Sequence, residues 1–249
     1  MPDAIFADPR LAAVYDTFDG ARTDLEPYLA LAGQLGARSV LDVGCGTGTL
    51  ACLLAARGVQ VVGLDPAAAS LDVARRKPHA ERVRWVHGEV PSLPPLQVDL
   101  VTMTGNVAQV VLTDADWAET LESVRSALRP GGRLVLESRR PEREAWREWT
   151  RERSWTRAQV PGVGPVETWV DVTAVREPLV SFRWTFAFPD GSRVTSHSTL
   201  RFRTEQELTD SLRAAGLEPE DVREAPDRPG HELVVLARRP DGRRGAVRR

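Results

Sequence analysis

Hydrophobic positions follow two different rhythms along this chain. From residue 39 onward, short continuous apolar runs alternate with stretches in which apolar residues recur every three or four positions. Continuous runs are typical of strands buried on both faces, and the longer spacing is typical of helices that cover them. The pattern therefore predicts an α/β fold with a parallel sheet between helices.

The predicted sheet strands are short and evenly distributed, falling at residues 39–43, 59–64, 82–87, 98–104 and 133–137. The helix before the fifth strand carries the clearest signals, because Thr113 and Asp116 form a capping box and Pro130 ends the helical stripe. A second capping box at Thr204 begins another helix, and residues 233–237 predict a last strand.

The hydrophobic period changes to two in the region between these parts. Residues 166–175, 179–188 and 193–203 alternate apolar and polar side chains, which predicts antiparallel strands. The second of them sends one set of apolar side chains to a single side: Val180, Phe182, Trp184, Phe186 and Phe188. The main domain, a partner subunit or a substrate must cover this face. Two interpretations are open: a small sheet whose aromatic side chains pack together, or a box of aromatic side chains that binds a substrate.

These changes of pattern divide the chain into four parts. We expect N-terminal cap helices in residues 1–38, an α/β domain in residues 39–138 and 204–239, and a β-rich insert in residues 139–203. Residues 240–249 are polar and rich in Arg and Gly, so we expect a disordered tail there.

Charge and cysteine content restrict the classes of binding partner that we expect. Lys and Arg total 33 against 35 Asp and Glu, giving a formal charge of -2 and no strong field to attract nucleic acid or a membrane. Cys45 and Cys52 lack the spacing of a disulfide framework or a metal site. With no 18-residue apolar run and no signal-peptide layout, we expect a cytoplasmic protein whose partner is a small molecule.

A glycine-rich loop, Gly44-Cys45-Gly46-Thr47-Gly48, follows the first strand. Glycines let a ligand approach the backbone, and the next helix presents free N–H groups to it. Asp42 lies two residues before Gly44, and Asp65 ends the second strand 21 residues after that glycine. A carboxylate at this spacing can accept hydrogen bonds from ribose hydroxyls, which predicts an adenosine-type ligand.

Three segments resemble the class I S-adenosylmethionine-dependent methyltransferase family: residues 40–48, 61–65 and 128–134. The resemblance covers about residues 39–138 and, more loosely, residues 204–238. It implies a Rossmann-like, doubly wound sheet of seven mainly parallel strands with the last strand antiparallel, here with the antiparallel β insert after strand five. It also implies S-adenosylmethionine as methyl donor, S-adenosylhomocysteine as product and no metal.

The resemblance assigns roles within the glycine loop. Gly44 and Gly46 would approach the methionine part of the donor, with Cys45 between them. Asp42 would hold the methionine amine, directly or through water, and Asp65 would bind the ribose.

The resemblance also places residues around the adenine. Pro66 follows the ribose-binding aspartate, and residues 87–90 match the family segment after strand three. An acidic residue of that segment meets the adenine amino group, which assigns this role to Glu89 with Val90 beside it. An exposed loop acid is the alternative interpretation for Glu89.

Two more segments are expected near the methyl group. Thr104 and Asn106 follow strand four and should face the donor, and their segment departs from the Asn-Pro-Pro-Tyr-like motif of many members that methylate nucleic acids. Tyr15 and then Arg22 resemble the cap helix of members acting on small molecules, in which a tyrosine closes over the donor. Tyr15 could equally pack a terminal helix on the core.

No residue is firmly predicted to be catalytic. A sulfonium methyl group is already activated, so alignment of the acceptor matters most and a base is optional. His197 is the weak candidate for such a base, because it lies on the polar face of the third insert strand. That face could instead simply meet water.

The sequence predicts transfer of a methyl group from S-adenosylmethionine to an oxygen or nitrogen of a small molecule. A non-catalytic S-adenosylmethionine-binding or protein-interaction module with the same fold is the alternative. A nicotinamide-dependent dehydrogenase is disfavoured because Gly48 stands one residue too early for the G-x-G-x-x-G frame. Two copies could pair through the insert.

Overall fold

The strands fall into two separate sheets in the computed structural model, which describes residues 1–241. In chain order they are β1 Ser39–Val43, β2 Gln60–Asp65, β3 Val83–His87, β4 Val98–Met103, β5 Leu128–Arg139, β6 Thr156–Val160, β7 Gly164–Arg176, β8 Leu179–Ala187, β9 Arg193–Arg201, β10 Glu218–Glu224 and β11 Glu232–Arg238.

The larger sheet has seven strands in the order β10-β11-β5-β4-β1-β2-β3. Strands β1 to β5 pair in parallel, and β11 runs antiparallel to both β5 and β10. All five residues of the central strand β1 are buried, as expected for a strand with helices on both faces of its sheet. The predicted Rossmann-like sheet with an antiparallel last strand is therefore confirmed.

Helices lie on both faces of this sheet. The α-helices of the chain are α1 Ala4–Ala7, α2 Pro9–Asp19, α3 Glu26–Gln34, α4 Thr49–Ala56, α5 Ala68–Ala74, α6 Asp114–Ala127, α7 Arg151–Ser154 and α8 Glu205–Ala214. Helices α6 and α8 pack Trp117, Leu121 and Leu208 into the core of one face, while α3 and α4 pack Leu29 and Leu54 into the other. Short 3-10 helices occur at Thr23–Leu25, Ala80–Arg82, Val90–Ser92, Val107–Gln109, Pro141–Arg143 and Ala145–Glu148.

The second sheet is antiparallel, with the order β6-β7-β8-β9. Its apolar face is covered by the chain itself. Helices α1 and α2 pack Ile5, Leu11 and Val14 against Phe186 and its neighbours. At the other end of β8, Trp149 meets the Phe182 ring edge-on with centroids 4.7 Å apart. The N-terminal helices therefore join the antiparallel sheet to the α/β part.

Several predicted boundaries differ from the structure. Helix α6 ends at Ala127, so Leu128 opens β5 instead of closing the helical stripe. Strand β5 is longer than predicted because Gly131 and Gly132 exchange backbone hydrogen bonds with Arg239 after β11. Helix α5 begins at Ala68, so Pro66 lies in the connection before the helix.

The hydrophobic pattern located neither of two polar strands, β6 and β10. The expected tail lies outside the described residues except for Pro240 and Asp241. None of the helices formed by residues 1–241 combines the length and apolarity needed to cross a membrane.

Candidate functional site

A cavity of about 210 Å³ opens at the carboxyl ends of β1 and β2, where ligands bind in open α/β sheets. The glycine loop, the start of the β2–α5 connection, the loop after β4 and the N-terminal helices line it. Nine of the predicted site residues meet there: Tyr15, Arg22, Asp42, Gly44, Cys45, Gly46, Asp65, Pro66 and Thr104.

Asp65 holds the glycine loop in place. One of its carboxylate oxygens accepts a hydrogen bond from the backbone N–H of Gly46 at 2.8 Å, and the other accepts one from Ala67 at 2.8 Å. Each carboxylate oxygen can accept a further hydrogen bond, so Asp65 retains capacity for a ligand. Burial raises the pKa of Asp65 above its usual value.

The backbone at Gly46 is open to the cavity. A Cβ atom on Gly46 would have nothing within 4 Å, and the residue adopts a φ of 54°, which favours glycine. The free space lies directly beside the loop that Asp65 fixes. This combination fits a ligand that needs close approach to the backbone.

Asp42 is a buried carboxylate at the cavity wall. It accepts a hydrogen bond from the Thr102 hydroxyl at 2.6 Å, and its side chain carries no ion pair among the described residues. Burial raises the pKa of Asp42 to about 7. A cationic amine in the cavity would favour the ionised form of this group.

The N-terminal helices supply the opposite wall of the cavity. Arg22 has a left-handed φ of 49° and its guanidinium donates to Asp19 at 2.9 Å and to Asp24 at 3.0 Å. Tyr15 and Phe6 both line the cavity, and their ring centroids are 5.6 Å apart. Burial raises the pKa of the Tyr15 hydroxyl, so this group stays neutral.

An ion pair that the sequence did not reveal ties α2 to the glycine loop. Asp16 accepts from the Thr47 hydroxyl at 2.6 Å and pairs with Lys77 at 2.7 Å. Lys77 also donates to the Thr49 hydroxyl at 2.6 Å. These groups lie far apart in the sequence, and the position of Asp16 beside Tyr15 was the only local signal.

Three predicted residues do not line the cavity. Glu89 is exposed and precedes the 3-10 helix Val90–Ser92, and Val90 is buried in the core. Asn106 is also buried, and its side-chain amide donates to Glu137 at 3.2 Å. The assignment of these residues to the donor stays a prediction.

His197 lies on the exposed face of the antiparallel sheet. Its cross-strand neighbour is Arg183, whereas the adjacent Ser196 points to the other face and accepts a hydrogen bond from the backbone of Ile5 in α1. The side chain of His197 therefore points away from the helices that cover the cavity. The structure does not bring this candidate base to the other predicted site residues.

A buried polar cluster next to the cavity also escaped the sequence analysis. Glu137 near the end of β5 accepts from Tyr28 and Asn106, while Glu232 pairs with Arg228 at 3.0 Å. Such residues look unremarkable in sequence because only the fold brings β5, α3 and β11 together. Within residues 1–241, no group of three or more His, Cys, Asp or Glu side chains is arranged to hold a metal ion.

Comparison with known proteins agrees with this geometry. Residues 40–132 match the family model described as a methyltransferase domain. The cypemycin N-terminal methyltransferase of a Streptomyces species is 33% identical over 108 residues, which cover 43% of this chain and 44% of the relative. The ubiquinone biosynthesis O-methyltransferase of Acinetobacter baylyi is 35% identical over 113 residues, 42% of this chain and 45% of the relative.

The fold of most of the chain also has a solved counterpart. The S-adenosylmethionine-bound amino pentose methyltransferase CalS10 of Micromonospora echinaspora has a TM-score of 0.69 at 24% identity, covering 91% of this chain and 96% of its own. Residues 40–132 are thus similar to methyltransferase domains, and the chain shares the fold of S-adenosylmethionine-dependent methyltransferases. It spans between 26% and 50% of the length of the curated relatives that it matches.

Proposed function

We propose that this protein transfers a methyl group from S-adenosylmethionine to an oxygen or nitrogen atom of a small molecule. One observation carries the proposal: the open backbone at Gly46 and two buried carboxylates, Asp42 and Asp65, line a single cavity. Because one carboxylate suits an amine and the other suits hydroxyl groups, the arrangement matches the two polar ends of this donor.

Different residues of the cavity would bind different parts of the donor. Asp42 would hold the methionine ammonium group, and Arg22 lies on the wall where it could pair with the methionine carboxylate. Asp65 would accept hydrogen bonds from the ribose hydroxyls while it keeps the loop in place. Pro66 and Phe6 add apolar surface to the same cavity, consistent with a flat base packing there.

When bound, S-adenosylmethionine supplies a methyl carbon that bonds to the acceptor atom as its bond to sulfur breaks, which releases S-adenosylhomocysteine. The chain then has to exclude water and align the acceptor. Tyr15 of α2 and Phe6 of α1 line the cavity and thereby reduce solvent access. An amine acceptor can lose its proton to solvent, so no dedicated base is required.

The proposed class of acceptor is inferred from the names of the similar proteins. The two curated relatives named above are an O-methyltransferase and an N-terminal methyltransferase, and the solved counterpart is an amino pentose methyltransferase. These names support oxygen and nitrogen acceptors alike. The absence of a large net charge, -2 over 249 residues, also favours a small molecule over nucleic acid.

A non-catalytic module with the same fold is the second candidate function. It differs from an enzyme in that it would bind S-adenosylmethionine without producing S-adenosylhomocysteine.

We also propose that the chain is divided into N-terminal cap helices, an α/β domain and a β-rich insert. Pairing of two copies through the insert stays a prediction, and the apolar face of that sheet is already covered by α1 and α2.

The test is methyl transfer from donor carrying a labelled methyl group. The purified chain is incubated with a panel of phenols, catechols, amino sugars and small amines, and both label transfer and S-adenosylhomocysteine release are measured. The proposal expects at least one acceptor to be labelled, with release of one S-adenosylhomocysteine for each methyl group. Tight donor binding with neither product across the panel would instead favour the non-catalytic module.

A further inference from the structure

The loop after β4 contains an uncommon backbone turn beside the cavity. Gly105 and Asn106 both adopt left-handed conformations, with φ values of 66° and 62°. This conformation is unfavourable for a residue other than glycine and persists where the surroundings hold it. Thr104, Gly105 and Val107 of the same loop line the cavity, so whatever holds the turn also shapes the cavity.

Glu137 supplies the contacts that hold this turn. One carboxylate oxygen accepts from the backbone N–H of Asn106 at 3.1 Å and from its side-chain amide at 3.2 Å. The other oxygen accepts from the hydroxyl of Tyr28. Because both oxygens act as acceptors, this arrangement calls for the ionised carboxylate.

The surroundings of Glu137 make its charge sensitive to pH. It is 8% exposed, and burial raises its pKa above the usual value. Glu232 on β11 and Asp227 before it raise that pKa further, while the hydrogen bond from Tyr28 on α3 and the charge of Arg139 on β5 lower it. Arg228 pairs with Glu232 at 3.0 Å and so neutralises part of the acidic surroundings.

The turn is connected to the glycine loop through the next residue. A Cβ atom on Gly44 would lie 2.5 Å from Val107, so this valine packs directly on the backbone of the glycine loop. We propose that ionised Glu137 is a positioning residue that fixes the 104–110 loop against the glycine loop and so sets the shape of the methyl-donor cavity. The proposal rests on the proposed function in one respect, that the cavity holds the donor.

Hydrogen–deuterium exchange of the free protein tests this role without any acceptor. Glu137→Gln keeps the shape but makes the group neutral, and we expect the backbone amides of the 104–110 loop to exchange roughly fivefold faster than in the wild type. Ser154→Ala is the matched control. It removes a partly buried hydrogen-bonding group from α7, where Ser154 accepts from the backbone N–H of Val170 at 2.9 Å, and should leave the 104–110 loop unchanged.

A pH series distinguishes positioning by charge from a general structural effect. After correction for intrinsic exchange, protection of the wild-type loop should fall as acidification protonates Glu137 and approach that of Glu137→Gln. The variant should show no such dependence, because glutamine does not titrate. At one fixed pH near 7.5, affinity for S-adenosylhomocysteine should be lower in Glu137→Gln than in the wild type.

Two outcomes would overturn the inference. One is equal loop protection in the wild type and Glu137→Gln; the other is the same pH dependence in both. Should Glu137→Gln fail to fold, Tyr28→Phe removes one hydrogen-bond donor and should raise loop exchange by a smaller factor, and unchanged exchange there would likewise overturn it. A wild type that does not bind S-adenosylhomocysteine would refute the proposed function alone, since loop protection is measured in the free protein.

Discussion

Val107 packs against the backbone of Gly44, and a Cβ atom on that glycine would lie 2.5 Å from the Cγ2 atom of Val107. Gly46 also has a positive φ, but a Cβ atom there would meet nothing within 4 Å. Gly44→Ala should therefore lower the free energy of unfolding by about 1 to 3 kcal/mol more than Gly46→Ala, because only the first substitution overpacks the core. Thermal or urea unfolding without ligand measures the difference.

The same pair of glycines should behave differently toward the ligand. Gly46→Ala points a methyl group into the cavity and should weaken S-adenosylhomocysteine binding although the fold is nearly intact. Adding Val107→Ala to Gly44→Ala removes both clashing methyl groups and should restore part of the lost stability. Equal unfolding energies for the two single glycine variants would contradict the packing argument.

Substitution of Asp65 tests the ribose assignment. Asp65→Asn cannot accept both backbone hydrogen bonds and also serve two hydroxyls, so the Kd for S-adenosylhomocysteine should rise about tenfold or more. His197→Ala is the control, because His197 points away from the cavity-covering helices. Calorimetry should show unchanged affinity for His197→Ala, and equal losses in both variants would refute the division of roles.

The pKa of Asp42 predicts how affinity depends on pH. Since burial raises this pKa to about 7, the carboxyl group becomes protonated below neutral pH and loses its attraction for the ligand ammonium group. Affinity for S-adenosylhomocysteine should fall roughly eightfold between pH 7.5 and pH 6, as a group of that pKa requires. Asp42→Asn should bind weakly at both pH values, and a pH slope that survives in this variant would exclude Asp42 as its source.

The ion pair between Asp16 and Lys77 predicts a role for α2 in retaining the ligand. Lys77→Met removes the ion pair with Asp16 and the hydrogen bond to Thr49, and leaves the hydrogen bond from Thr47 to Asp16 in place. The weakened link between α2 and the glycine loop should let S-adenosylhomocysteine dissociate about threefold to tenfold faster. Arg75→Met is the matched control, since it removes the same charge from an exposed pair with Asp72. Stopped-flow measurement of the dissociation rates should separate the two variants.

The sequence predicted the parallel core because burial dictates its pattern. Strand β1 is buried at all five positions, and Val40, Leu41 and Val43 give it the apolar character that the sequence shows. Strand β10, Glu218–Glu224, lies at the sheet edge and exposes most of its side chains, so no apolar pattern marked it. Strand β6 was missed for the same reason.

Candidate site residues could be predicted where the residues that act together lie at a fixed, short spacing in the sequence. The glycine loop and Asp65 are such a case, because a strand, a tight turn and a second strand fix their spacing. The contacts of Glu137 with Tyr28 and of Asp16 with Lys77 join residues far apart in sequence, so only the fold reveals them. The cover of the aromatic face by α1 and α2 is another contact of this kind.

Calorimetric titration of the purified, ligand-free protein tests the central claim most directly, with S-adenosylmethionine and S-adenosylhomocysteine as ligands and NAD as the control. The account predicts one site per chain with micromolar affinity for both methionine derivatives and none for NAD. Binding of NAD alone, or of none of the three ligands, would contradict the assignment of this cavity to a methyl donor.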